Sequence, residues 1–184
     1  MSSALPKKRP RQKSRQQKAE DLRNRIWPDS EERIWTSKEN NGYVPLSRLL
    51  PLIATLLDEL AKPGDPTRVY YDLWFRCHDD GYVPVDDVER FAFSAGYRGT
   101  RAVRTWRERM LKLQELGFID CKGIGTNDFK HVLLINPLLA VAQLRQQFPK
   151  RVPEDWWISF VERAGDIGAI LPRLPSKKLK TTPK

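Results

Sequence analysis

The hydrophobic positions between Pro66 and Pro137 keep a helical spacing three times and then give way to two short strand-like runs. From Thr67 to Cys77, the positions Val69, Tyr70, Leu73 and Trp74 predict a helix with one buried side. Asp79-Asp80-Gly81 turns the chain, and Tyr82-Val83-Pro84-Val85 reads as a short strand. Asp86 is placed to cap a second helix, Asp87 to Ala95, with Val88, Phe91 and Ala92 inward. Its first turn holds Asp87 and Glu89, where the helix dipole favours acids. After the turn Gly96-Tyr97-Arg98-Gly99, Thr100 is predicted to cap a third helix running to Leu116. Gly117 stops that helix in the left-handed conformation, which glycine adopts at little cost. Ala102, Val103, Trp106, Met110 and Leu113 form its core-seeking stripe. Phe118 to Lys122 reads as a strand and His131 to Ile135 as its returning strand, on either side of the segment Gly123 to Lys130. Asn136-Pro137 pairs an N-cap with proline at the first helical position, opening a helix to about Gln147.

The flanks carry their own patterns. Leu49, Leu52, Ile53, Leu56, Leu57 and Leu60 predict a helix beginning near Leu50, because Pro51 is tolerated only in a first turn. Lys62-Pro63-Gly64-Asp65-Pro66 ends it. Its apolar share exceeds one stripe, so it either packs against the segment that follows or forms a dimer interface. Pro153 begins a last helix with Trp156, Trp157, Phe160 and Val161 on or near one face, ending between Gly165 and Gly168. Towards the N-terminus, a short charged helix is predicted over residues 19–25. Ile26-Trp27-Pro28 and Ile34-Trp35 read as apolar anchors. Residues 1–18 have almost nothing to bury and read as disordered. Gly-Tyr-Val-Pro occurs at 42–45 and again 39 residues later at 81–84, but nothing downstream aligns beyond a following helix, and chance explains the echo.

Charge changes the picture at one helix. Between Arg98 and Lys112 six basic residues stand against one acid, Glu108. Arg101, Arg104, Thr105, Glu108 and Lys112 share the face opposite the apolar stripe, a set of groups able to reach phosphates and base edges. A merely solvated charged face would be less lopsided. The formal charge of +10 lies elsewhere. Residues 1–25 carry nine Lys/Arg, among them Lys7, Lys8, Arg9 and Arg11, against two acids. Residues 173–184 carry five Lys/Arg and no acid, which leaves nineteen Lys/Arg against twenty-one Asp/Glu in 26–172. The arm resembles a nuclear localisation signal, a bacterial nucleic-acid-binding arm or an inert solubilising tail, and composition does not separate these.

The turn and helix Gly96-Tyr97-Arg98-Gly99-Thr100-Arg101-Ala102-Val103-Arg104-Thr105-Trp106, with the exit Leu113-Gln114-Glu115-Leu116-Gly117-Phe118-Ile119, carry a resemblance. Residues 66–137 resemble the winged helix-turn-helix domain of bacterial transcription regulators and of plasmid or phage replication initiators. The resemblance implies a mainly α fold with a small β-hairpin wing. Around that winged-helix core lie a basic disordered arm (1–25), a helical extension (26–65), C-terminal helices (138–172) and a basic tail (173–184). It implies a recognition helix in the major groove and a wing on the backbone or minor groove. Arg101, Arg104, Thr105, Glu108 and Lys112 would then face the groove, Arg98, Gly99 and Thr100 would sit at the helix start near a phosphate, and Lys122 and Lys130 would flank the wing. The tip, Gly125-Thr126-Asn127-Asp128, has no arginine and one acid, which departs from that pattern. Glu108 either accepts from a cytosine amino group or pairs with Arg104 or Lys112; helical spacing favours the pair.

The expected partner is double-stranded DNA, with a homodimer or a protein partner left open, in a bacterial, nucleoid-associated, cytoplasmic setting. A protein-docking module, or a nonspecific binder driven by the tails, is the competing reading. No nucleophile–base–acid spacing or phosphate-binding glycine loop stands out, so no enzyme, catalytic residue or cofactor is expected. Cys77, Cys121, His78 and His131 show no metal-ligand spacing, and the two cysteines read as reduced thiols. No apolar run suits a membrane span or a signal peptide.

Overall fold

The structure is a computed structural model that describes residues 14–28, 30, 33–34, 36, 42–78 and 80–174. The chain divides into two compact units, Met1–Tyr43 and Val44–Lys184. Lys7, Lys8, Arg9, Arg11, Trp35 and the lysines of the C-terminal tail lie outside the described residues.

In the first unit the helix α1 spans Arg15–Ile26 and begins four residues earlier than the periodicity predicts. A capping box explains the difference. The Ser14 hydroxyl accepts from the Gln17 amide at 3.2 Å, and the Gln17 side chain accepts from the Ser14 amide at 3.0 Å. The straight-chain Gln17 and Lys18 then lose little rotamer freedom in the helix. Ile26 and Trp27 are not the buried anchors that their apolar character predicts: both are more than half exposed.

The second unit is built from α2 (Leu50–Leu60), α3 (Thr67–Arg76), β1 (Tyr82–Pro84), α4 (Val88–Ser94), α5 (Ala102–Glu115), β2 (Ile119–Ile124), β3 (Asn127–Leu134), α6 (Pro137–Gln147) and α7 (Glu154–Asp166). The fold is mainly helical, with one small antiparallel sheet in the order β1-β3-β2. Its core runs through all the helices from α2 to α7 and all three strands. Trp106 on α5 is fully buried and meets Phe91 of α4 and Phe129 of β3 edge-on, at centroid distances of 6.1 and 5.6 Å. Burying a side chain of this class stabilises by about 1.5–3 kcal/mol, so the sheet and two helices are tied through one residue.

Of the two fates open to α2, burial within the chain is the one observed. Leu50, Ile53, Leu56 and Leu57 are all buried, and the Trp156 indole of α7 donates to the Leu52 carbonyl at 3.2 Å. Asp58 accepts from both the amide and the hydroxyl of Thr67, joining α2 to the start of α3. Pro51 sits in the first turn and Pro137 at the start of α6, where Asn136 accepts from Leu138 and Leu139, all as predicted. No helix among the described residues is long and apolar enough to cross a membrane.

Three local expectations need correction. Helix α4 is capped by Asp87, whose carboxylate accepts from the Arg90 amide at 3.0 Å, because Asp86 is engaged with Lys130 instead. Helix α5 starts at Ala102 rather than after a Thr100 cap: Gly99 O accepts from Ala102 N at 3.1 Å, which spends Thr100 in a turn. The strands on either side of Gly123 to Lys130 run further into that segment than predicted, β2 to Ile124 and β3 from Asn127. Ile124 pairs with Asn127 across Gly125-Thr126, and Gly125 has φ +60°, the placement of glycine in a type II′ turn.

Candidate nucleic-acid interface

Helix α4 ends in a glycine motif. Gly96, at φ +92°, donates to Phe93 O, and Tyr97 donates to Ala92 O, both at 3.0 Å, which closes the last carbonyls and turns the chain. Helix α5 ends in the same way around Gly117 at φ +78°. Between them, Gly99 takes φ +76° and is exposed, followed by Thr100 and Arg101, both exposed. Arg101 stands at the N-cap position with helical dihedrals, and no side chain caps α5. The α3 side of this turn is braced by Asp72, Arg76 and Ser94: Arg76 donates to Asp72 at 2.9 Å and to Ser94 at 2.6 Å.

Of the residues marked from sequence, Arg101, Arg104, Thr105 and Glu108 come together on the outward side of α5, opposite the buried Trp106, Met110 and Leu113. Arg104 is 81 % exposed and donates to Glu108 at 3.0 Å. Glu108 also lies 3.9 Å from the Arg109 guanidinium, so the one acid of this face serves two arginines. Lys112 is drawn along the helix to Glu115. That contact, chiefly a hydrogen bond, holds the Glu115 carboxyl below its usual range.

Three cations are placed otherwise than a phosphate clamp needs. Arg98 turns back: its guanidinium donates to Phe93 O at 2.6 Å and Tyr97 O at 3.1 Å and lies 3.6 Å over the Phe93 ring. It therefore satisfies carbonyls at the end of α4. Lys130 on β3 pairs with Asp86, and their hydrogen bond depresses the Asp86 carboxyl. Arg107, outside the predicted set, reaches Asp128 near the hairpin tip at 3.5 Å and ties α5 to the wing-like hairpin. Lys122 is exposed on β2 and, like Arg101, has no ion pair among the described residues.

Two further cations, Arg68 and Arg109, escaped the sequence reading. The Arg68 guanidinium sits 3.5 Å from where a Cβ on Gly96 would lie, so it rests on the α4–α5 turn. Arg109 fills the space beside Gly64, where a Cβ would meet its guanidinium at 2.6 Å, and faces Asp65 at 3.7 Å. Both contacts join segments more than twenty residues apart, and no spacing rule announces them. Gly123 is similarly tight: its Cβ would lie 3.0 Å from Asp128 Cα, which fits the register shift between Lys122 and Ile124.

Chemistry beyond charge is sparse. Cys77 and Cys121 are both thiols, and burial, reinforced by Asp120, pushes Cys121 up to about 12, far from nucleophilic. Among the described residues no group of three or more His, Cys, Asp or Glu is placed to hold a metal ion. Compared with family models, curated proteins and solved structures, the chain matches none.

Proposed function

We propose that this chain binds double-stranded DNA with sequence preference, as a winged helix-turn-helix whose recognition helix is α5. The element order α3-β1-α4-α5-β2-β3, with β3 between the two other strands, supports the fold assignment. The observation that carries the functional reading is the outward face at the start of α5. Arg101, Arg104, Thr105 and Glu108 stand there together, beside a first turn of amides that no side chain caps. Such amides and the dipole behind them attract a phosphate oxygen, and an arginine one turn further on reaches guanine O6 and N7. A regulator or an accessory replication or partition factor of a mobile element, working in a bacterial cytoplasm, is the role in view. The basic arm and tail would add phosphate contacts without selectivity.

One observation favours a protein-docking module instead. Arg104, Arg107, Arg109, Lys112 and Lys130 each already face a carboxylate, which leaves this surface less positive than its sequence implies. Selection of bound sequences from a random duplex pool by the full chain separates the readings. An enriched motif that disappears in the Arg101→Ala/Arg104→Ala variant is expected. A motif untouched by that double substitution, or no motif at all, would sink the assignment.

A further inference from the structure

One face of the sheet meets the core, and the other carries two rings locked together. Val83 of β1 and Val132 of β3 are cross-strand partners, and both are buried. Side chains alternate along a strand, so Tyr82 and Pro84 of β1, His131 and Leu133 of β3, and Asp120 and Lys122 of β2 stand on the opposite face. Tyr82 and Leu133 are 38 % and 46 % exposed. The Tyr82 hydroxyl lies 2.7 Å from His131 Nδ1, with the ring planes 24° apart and the centroids 5.9 Å apart. A ring nitrogen forms its hydrogen bond close to the plane of the ring, so the phenol and the imidazole meet edge to edge as one broad, nearly flat surface. Lys122, directly across from His131, stands exposed at the rim of that surface with no ion pair among the described residues. The acid of this face, Asp120, lies across from Leu133 and accepts from the Cys121 amide.

We propose that this sheet face is a stacking platform for an unpaired base of a single-stranded nucleic acid, with Lys122 on the adjoining phosphate. The shape selects the occupant. A duplex keeps the faces of its bases within its own stack, so rings lying on a sheet surface can stack only on a base that is unpaired. The hydrogen bond between Tyr82 and His131 holds both rings in place before a base arrives, which removes part of the ordering cost of binding. Charge selects a polyanion over an apolar partner. Lys122 is uncompensated beside the rings, and the same chain carries five Lys/Arg and no acid in residues 1–13. The site stands apart from the duplex reading of α5 and does not depend on it.

The test is fluorescence anisotropy of the full chain with short labelled oligo(dA), oligo(rA) and a hairpin duplex, all at one salt concentration. Binding of either single strand supports the site, and the tighter of the two names its sugar. Tyr82→Ala should weaken that strand about tenfold and leave the hairpin affinity unchanged. Tyr82→Leu keeps apolar bulk without an aromatic face and should lose as much. Tyr82→Phe keeps the ring, gives up only the bond to His131, and should stay within about threefold of the parent. His131→Ala, on the neighbouring strand, should repeat the tenfold loss even where a change at Tyr82 disturbs β1. Single strands that do not bind, or that bind Tyr82→Ala and His131→Ala as tightly as the parent, overturn the proposal. So does Tyr82→Leu at parental affinity, because the face would then be only apolar, and so does an equal loss on the hairpin.

Discussion

Arg98 and Arg101 are three positions apart in one basic run, yet their surroundings give them different work. Arg98 spends its donors on the carbonyls of Phe93 and Tyr97 and its planar face on the Phe93 ring. Arg101 stands exposed, with no ion pair among the described residues. The expected outcome of Arg98→Ala is therefore a loss of about 1 kcal/mol in stability with the salt dependence of DNA binding unchanged. Arg101→Ala should leave stability alone and lower the salt slope by about one. Urea unfolding and binding titrations at several salt concentrations check both halves. The sequence treats the two arginines alike because it records charge and spacing. Which carbonyls come within reach of a guanidinium depends on the path of the α4–α5 turn.

At the scale of elements, Lys130 joins the hairpin to Asp86 in the segment between β1 and α4, and the far end of α5 is held by Lys112 and Glu115. Both carboxyls are depressed below their ordinary values of 3.8 and 4.5, in each case mainly by the hydrogen bond from the lysine. A depressed folded value means that the stabilisation is complete above the unfolded values and is lost as pH falls through the lowered ones. The Asp86→Asn/Glu115→Gln variant should accordingly lose less stability than the parent between pH 5 and pH 3, read from urea midpoints across that range. Most elements were legible beforehand. Apolar residues at helical spacing mark α2 to α5 and α7, and Asn136-Pro137 marks the start of α6, because those signals are local. The ends of the hairpin strands are less legible, because Lys122 to Lys130 shows no apolar alternation. Backbone pairing across Gly125-Thr126 does not require any.

For the whole molecule, the relevant quantity is where the charge of +10 sits. Residues 1–13 hold Lys7, Lys8, Arg9, Arg11 and Lys13 without an acid, whereas residues 26–172 are slightly acidic. If α5 reads bases and the arm only meets phosphates, deleting residues 1–13 should flatten the salt slope by roughly four. The preferred motif in the random-pool selection should be unaltered by that deletion. A lost motif would assign the selectivity to the arm and remove it from α5.

What the sequence determined by itself is the set of elements: helices and strands where hydrophobic period, glycine and proline agree, and one helix with cations facing away from its core stripe. These are one-dimensional properties, set by geometry within a few residues. The tertiary structure decided which cations among the described residues remain unpaired, that α2 is buried within the chain, that Asp86 serves Lys130 rather than α4, and that Val161 is exposed where Phe160 beside it is buried. Each of those depends on segments far apart in the chain approaching within a few ångströms, and such an approach is a property of the packed core.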